Sequence, residues 1–260
     1  MTSASALAVT EYRLRNMWKW RTAIIIYGLG GPFLYLASIG IGVGSLVDAN
    51  NGAGIDGVPY LTFLAPALLA SAAIQGTQDE AVFPVLQGFI WEKLFYGMHA
   101  TALTAKQIAN GVLLAALVRA VFTSTMYWVV LLAFGAVSLS SALTLIPAAT
   151  GAGMAFGAFV MWIAARVINE DGFFAVFGRF VVTPMFLFSG TFYPLDTLPL
   201  AVQWIGWISP LWHATELGRA FSYGTGFASS GTWLHVGGLA AMFVAGLLLS
   251  HRQFERRLRA

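Results

Sequence analysis

Six stretches of this chain stay apolar long enough to cross a lipid bilayer: residues 22–46, 60–78, 111–136, 142–165, 173–192 and 233–250. Bilayer hydrocarbon is about 30 Å thick and a helix rises about 1.5 Å per residue, so roughly 20 apolar residues span it. A backbone in hydrocarbon must satisfy its own hydrogen bonds, and only helices and closed barrels do so. Barrel strands would read as alternating segments of about ten residues, whereas these unbroken runs call for helices. The expected fold is therefore all-α: a polytopic membrane protein with six transmembrane helices, in which residues 1–260 form a single transmembrane domain. Composition agrees, since 58% hydrophobic residues against 10% charged is far from the balance of a soluble domain. The first run is too long for a signal-peptide core and no A-x-A-like site follows it, so it is read as retained. The absence of cysteine excludes disulfides, thiolate metal sites and cysteine nucleophiles.

Lysine and arginine then orient the chain. Arg13, Arg15, Lys19 and Arg21 precede the first run, Lys93 and Lys106 lie between the second and third, Arg166 and Arg179 bracket the fourth-to-fifth connection, and Arg252, Arg256, Arg257 and Arg259 close the chain. With six spans these segments share one side, while "VDANNGAGIDGVPY" and "VSLSSALTLIP" on the other carry no Lys or Arg. The positive-inside rule places both termini in the cytoplasm. Basic clusters abutting spans are topological anchors, so no nucleic-acid partner is expected. The segment 6–21 puts Leu7, Leu14 and Trp18 on one helical face and Arg13, Arg15 and Lys19 elsewhere, which predicts a helix lying along the cytoplasmic interface.

One stretch breaks the pattern. "PMFLFSGTFYPLDTLP" starts as membrane helix, stops at Ser189-Gly190, turns through Pro194 and Pro199, and resumes as "LAVQWIGWISPLWHATELGRA". It carries Phe192, Tyr193, Trp204, Trp207 and Trp212, aromatic residues that favour the membrane interface. Two short helices, 198–208 and 211–221, are expected to break at Ser209-Pro210, because the residue before proline resists helix. Broken backbone at membrane depth needs protein or water around it, so 190–221 reads as an outer re-entrant segment beside a cavity. Within it Gly190 permits an unusual dihedral, Pro194 sets the exit direction, and Asp196 is placed to cap the next helix.

The block from Pro184 to Arg219, with its "SGTFYPLDTLP" and "ISPLWHATELGRA", resembles type-2 ABC exporter permeases, most closely the branch that exports nodulation factor, a lipo-oligosaccharide, with drug-resistance exporters as near relatives. The likeness extends over nearly the whole chain. The loop 82–107 keeps "WEKLFYG", similar to the family's coupling region, and lacks the "ERE-x-GT" run of many relatives. The resemblance implies a homodimer of permeases in a bacterial plasma membrane, with two copies of a partner ABC ATPase that binds the ATP and Mg, and an amphipathic lipid, glycolipid or hydrophobic drug as substrate. The chain itself has no G-x-x-x-x-G-K-[ST] run, so no catalytic or cofactor-binding residue is assigned to it. Residues 84–101 would lie as a short helix in a groove of the ATPase. Phe89, Trp91, Leu94, Phe95 and Tyr96 would anchor it, and Glu92 and Lys93 would set its register. Gly190, Phe192, Tyr193, Pro194, Trp204, Trp207 and Trp212 would form an outer gate.

Charges inside spans are functional candidates, because each costs about 3 kcal/mol or more in hydrocarbon. Arg119 lies well inside the third run, either lining a cavity or snorkelling. Asp79 and Glu80 end the second run, and Glu170 and Asp171 sit between Arg166 and Arg179; mutual salt bridges there would make an inner gate. His213 and Glu216 share a helical face, but a closed metal site needs more ligands, and none is assigned. Gly40-x-x-x-Gly44 and Gly151-x-Gly153-x-x-x-Gly157 are packing signals. Two other classes remain open from the residues alone: an integral-membrane lipid-modifying enzyme, which would need the scattered Asp48, Asp56, Asp196, His213, Glu216 and His235 to cluster, and a secondary carrier, which would use a buried carboxylate near the midplane.

Overall fold

The computed structural model describes residues 3–51, 54–169, 172–224, 226–228 and 230–259, and every regular element among them is a helix. Five helices are long and apolar enough to cross a membrane: Arg21–Asn50, Tyr60–Trp91, Ala105–Ala133, Leu139–Arg166 and Ser230–Arg259. Four of them contain an expected run whole, and Ala105–Ala133 covers the run 111–136 except its last three residues. The remaining run is a shorter apolar helix, Phe173–Phe188. It stops four residues earlier than the apolar pattern because Gly190 adopts φ +72°, a left-handed conformation that ends the helix.

In chain order, α1 (Ser3–Lys19) leads into α2 (Arg21–Ser38), which continues through a wide turn of π-helix at Ile39–Gly44 into α3 (Ser45–Asn51). Then come α4 (Tyr60–Leu86), a π turn at Gln87–Trp91, α5 (Leu94–His99), α6 (Ala105–Ala133) and α7 (Ala142–Arg166). The shorter apolar helix is α8 (Phe173–Phe177) and α9 (Thr183–Phe188) joined by a π turn at Gly178–Val182. The chain closes with α10 (Leu200–Trp207), α11 (Pro210–Ser222) and α12 (Ser230–Arg259).

The core is built around α4, whose 27 residues are mostly buried between α6, α7 and α11. Small residues explain its closest approach. A Cβ at Gly153 would lie 2.9 Å from the Ala73 carbonyl oxygen, and one at Gly157 would lie 3.0 Å from Thr77 Cβ, so α7 meets α4 backbone to backbone along its glycine stripe. On its far side α7 carries α12, where the Ser250 hydroxyl donates to the Ala158 carbonyl at 2.8 Å.

Two findings bear on the expectations here, and the first is a change. The second run does not end at Asp79 and Glu80: α4 carries on to Leu86, so both acids sit within the helix and the start of 82–107 is helical. Pro84 lies inside the helix without ending it. The rest of 82–107 is the π turn, α5 and the start of α6, which opens on a capping box: Thr104 Oγ1 accepts from Gln107 N at 3.3 Å and Gln107 Oε1 accepts from Thr104 N at 2.8 Å. The second finding concerns the other face of α1. Its packed face is Ala6, Val9, Thr10 and Arg13, seated on α6 at Gly111, where a Cβ would come 2.5 Å from Val9 Cβ; Leu7 and Trp18 stay exposed.

The pair α10 and α11 follows the proline reading closely. The break falls at Ile208 and Ser209, and Ser209 Oγ accepts from Leu211 N at 3.1 Å to cap α11. Asp196 does not cap α10. It sits in a tight turn at Leu195–Thr197, and the residue before α10 is Pro199, which offers no side-chain acceptor.

Candidate translocation groove

Three neighbouring cavities run along one flank of α4. The first, of about 470 Å³, is lined by Arg13, Trp20, Asp79, Gln87, Trp91 and Arg119 among others. It shares Ile24, Asp79 and Arg119 with a second of about 180 Å³, which in turn shares Pro32, Ala72, Gln75 and Tyr127 with a third of about 450 Å³ reaching Phe186 and Leu211. Together they form a groove between α2, α4, α6 and α9. It runs from the end holding α1 and α5 to the end where α11 begins.

The lining follows from helical periodicity. Ser71, Gln75 and Asp79 recur every four residues on α4, and Arg119, Thr123 and Tyr127 recur every four on α6, so each series makes one polar stripe along its helix. Gln75 Nε2 donates to Asp79 Oδ1 at 3.0 Å along the first stripe. Gly76 lets the two stripes face each other closely, since a Cβ there would lie 2.5 Å from Thr123 Oγ1. Of these residues only Arg119 and Asp79 stood out as charges. The four-residue spacing of Ser71, Gln75, Thr123 and Tyr127 was the signal that could have found the rest.

The groove's α1 end is locked by an ion pair. Arg13 Nη2 donates to Glu80 Oε1 at 2.6 Å and Arg13 Nε to the same oxygen at 3.1 Å, with side-chain exposures of 7% and 9%. Glu80 thus pairs with the N-terminal helix and with neither Arg166 nor Arg179. Arg166 lies over the Trp162 ring, and Glu170 and Asp171 fall outside the described residues. Arg257 of α12 completes this end, donating from Nη1 to the Ala165 and Val167 carbonyls at 2.9 and 2.6 Å, which terminates α7, while lying 4.4 Å over Phe89.

The expected coupling residues divide. Phe89 and Phe95 are buried, at 2% and 3% exposure, in an aromatic cluster with Phe254 of α12. They hold the connection onto the bundle and are closed to a partner. Trp91 and Tyr96 stand out at 51% and 39%, Glu92 and Lys93 are exposed between them, and Leu94 is half-buried. Lys93 takes φ 55°, a left-handed conformation unusual for a side chain of its length, at the corner that turns α5 back.

The expected gate residues divide as well. Phe192 packs edge-on against Phe186 at the far end of the groove, 5.2 Å between ring centres, and Tyr60 donates to the Phe192 carbonyl. Tyr193 donates to the Leu187 carbonyl at 3.0 Å, closing the turn that Pro194 leads out of. Trp204 lies on the opposite face, in a separate apolar cleft of about 530 Å³ between α7, α9, α10 and α12, and Trp207 is exposed. Trp212 packs on His213 and His235. A residue not foreseen, Arg219, secures the whole stretch: it donates to the Gly190 carbonyl at 2.7 Å and to Glu216 at 2.9 Å, and lies 3.7 Å over the Phe63 ring of α4.

His213 and His235, distant in sequence, meet with Nδ1 atoms 2.9 Å apart, joining α11 to α12. One nitrogen donates and the other accepts. Among the described residues no group of three or more His, Asp or Glu is placed to hold a metal ion.

A helical bundle of membrane-spanning length, with a polar-striped groove along its central helix and a broken segment at the groove's end, is the architecture of a membrane permease. The chain belongs to the ABC-2 type transporter family, whose pattern it matches over residues 5–223. It is 30% identical to Nodulation protein J of Rhizobium leguminosarum bv. viciae, across 94% of this chain and 92% of that protein. Nodulation protein J of Rhizobium meliloti (strain 1021) is 28% identical across 94% and 91%, and that of Bradyrhizobium diazoefficiens 26% identical across 98% and 97%.

Proposed function

We propose that this chain is the permease of an ATP-driven exporter that moves an amphipathic glycolipid or lipid-linked oligosaccharide outward across a bacterial plasma membrane. The observation that carries this reading is the groove: one apolar flank interrupted by two polar stripes suits a molecule with a greasy tail and a hydroxyl-rich head. Similarity to Nodulation protein J over nearly the full length of both chains supports the same substrate class.

In this reading both termini are cytoplasmic, as the lysine and arginine distribution favours, and Phe173–Phe188 is the sixth crossing, with α10 and α11 re-entering the outer leaflet. The groove opens sideways, with Gln75 exposed, so a second copy of the chain facing it would close a conduit. Two copies of a partner ABC ATPase supply hydrolysis, holding ATP and Mg themselves. They dock on Trp91, Glu92, Lys93 and Tyr96, and the buried Phe89–Phe95–Phe254 cluster passes their movement to α4 and α12. At the other end Gly190, Phe192 and Trp212, held by Arg219, form the outer closure.

The test is purification of the tagged chain with its ATPase, followed by uptake of a fluorescent lipo-oligosaccharide into inverted vesicles. ATP-dependent uptake, abolished by a hydrolysis-deficient ATPase, is expected. Uptake driven by an ion gradient without ATP would make the chain a secondary carrier and overturn the proposal.

A further inference from the structure

Arg119 is set apart from every other arginine that the groove or the broken segment uses. Arg13 is neutralised by Glu80, and Arg219 by Glu216 and the Gly190 carbonyl. The Arg119 guanidinium makes no hydrogen bond or ion pair with any described residue, and its Nε, like that of Arg219, is buried without an acceptor. It sits near the middle of the 29-residue α6, in the cavity that reaches Trp91 and Glu92. It also lines both cavities at the point where they join.

Its surroundings are those of a recognition site. Asp79, the carboxylate that shares both cavities, already accepts from Gln75 and lies beyond 4.0 Å of the guanidinium. Glu92 accepts from Gln87 at 2.7 Å. Thr123 and Tyr127 extend the polar stripe beside Arg119, and the adjoining cavity of about 450 Å³ is apolar, with Leu68, Ile74, Phe186 and Leu211 in its wall. A planar guanidinium with free donors matches two oxygens of a phosphate, sulfate or carboxylate at once, and in a low-dielectric site such a bond is stronger than its counterpart in water.

We propose that Arg119 is an anion-recognition residue, and that the transported amphipath carries an acidic group, phosphate, sulfate or carboxylate, which docks on Arg119 while its apolar chain lies towards Phe186 and Leu211. Asp79, beyond contact distance, supplies a nearby negative charge that opposes the substrate's acidic group without occupying the guanidinium. This deepens the exporter reading and rests on it for the word "transported"; the binding site stands on the geometry alone.

The test is equilibrium binding to the full chain with its ATPase, in nanodiscs of uncharged-net phosphatidylcholine, using radiolabelled dodecyl phosphate, dodecyl maltoside and inorganic phosphate, with empty nanodiscs subtracted. Dodecyl phosphate should bind about tenfold tighter than dodecyl maltoside. Arg119→Gln should remove that preference and leave maltoside binding unchanged; Arg119→Lys should keep part of it, and Asp79→Asn should strengthen phosphate binding. Equal affinity for the two amphipaths, or an Arg119→Gln protein that keeps the preference, would overturn the proposal. Inorganic phosphate binding as tightly as dodecyl phosphate would make this a free-anion site, and loss of the preference on adding phosphatidylglycerol would make the occupant a bulk lipid headgroup; either result overturns the substrate assignment. If export fails while the Arg119-dependent preference persists, the exporter reading falls and the site does not. Should Arg119→Gln not fold, the paired shifts of Arg119→Lys and Asp79→Asn decide, and absence of both refutes it.

Discussion

The Arg13–Glu80 pair ties the N-terminal helix to the central one across 67 residues of sequence, and its energetics can be worked from its surroundings. Both side chains are nearly sealed from solvent, two guanidinium nitrogens converge on one oxygen, and Gln87 Oε1 is a distant third acceptor at 3.5 Å. Glu80→Ala removes the carboxylate that Arg13 pairs with among the described residues and leaves a buried cation. That change is expected to cost about 3–5 kcal/mol, mostly the penalty of the stranded charge. Glu80→Gln keeps an oxygen at the same place and exchanges a charge-assisted bond for a weaker one, so its cost should be about 1–2 kcal/mol. Arg13→Met combined with Glu80→Leu strands nothing, and by the same reasoning the double variant should be about as stable as the unaltered protein or somewhat more so.

The decisive quantity is therefore the order of the three, measured by denaturant unfolding in mixed micelles together with proteolysis of the α1–α2 junction at Trp20. Glu80→Ala should unfold first and release α1 first. A double variant as unstable as the sum of its two single changes would refute the reasoning, because independent costs would mean that the two charges do not neutralise each other.

Three further outcomes follow from particular contacts. Trp91→Ala with Tyr96→Ala should weaken capture of the ATPase while leaving the permease's thermal stability unchanged, whereas Phe95→Ala should cost about 3–5 kcal/mol of stability by opening a cavity against Phe89 and Phe254; stability measurements alongside pull-down separate the two. Gly111→Leu should lift α1 from α6, because its side chain would occupy the place of Val9, and cross-linking between cysteines introduced at residues 9 and 111 of the unaltered chain reports the starting contact. Gly190→Leu forces a left-handed residue to carry a branched side chain beside Trp212, so assembly with the ATPase should persist while export falls; full export in vesicles would reduce the broken segment to an anchor.

How much of this was legible in the sequence depended on the range of the physics. Apolar length is local, so five helices of membrane-spanning length, the helix break at Ser209-Pro210 and the packing use of Gly153 and Gly157 could be read directly. The extent of α4 could not, because Asp79 and Glu80 look like the end of a span when hydropathy is averaged, and only Arg13, arriving from α1, makes a buried glutamate affordable there. Exposure of the aromatic residues in "WEKLFYG" was likewise undecidable locally: Phe89 and Phe95 are buried because Phe254 and Arg257, far along the chain, close over them. The same logic explains the two histidines, unremarkable apart and joined in the fold. What local reading missed and could have found is the polar stripe. Residues 71, 75 and 79 on one helix and 119, 123 and 127 on the next repeat at the helical period within apolar runs, and in hydrocarbon such a stripe has to face protein, water or a polar ligand. Two stripes on adjacent helices that face the same groove leave room between them for a ligand, and Arg119, with no described acceptor of its own, gives that ligand its sign.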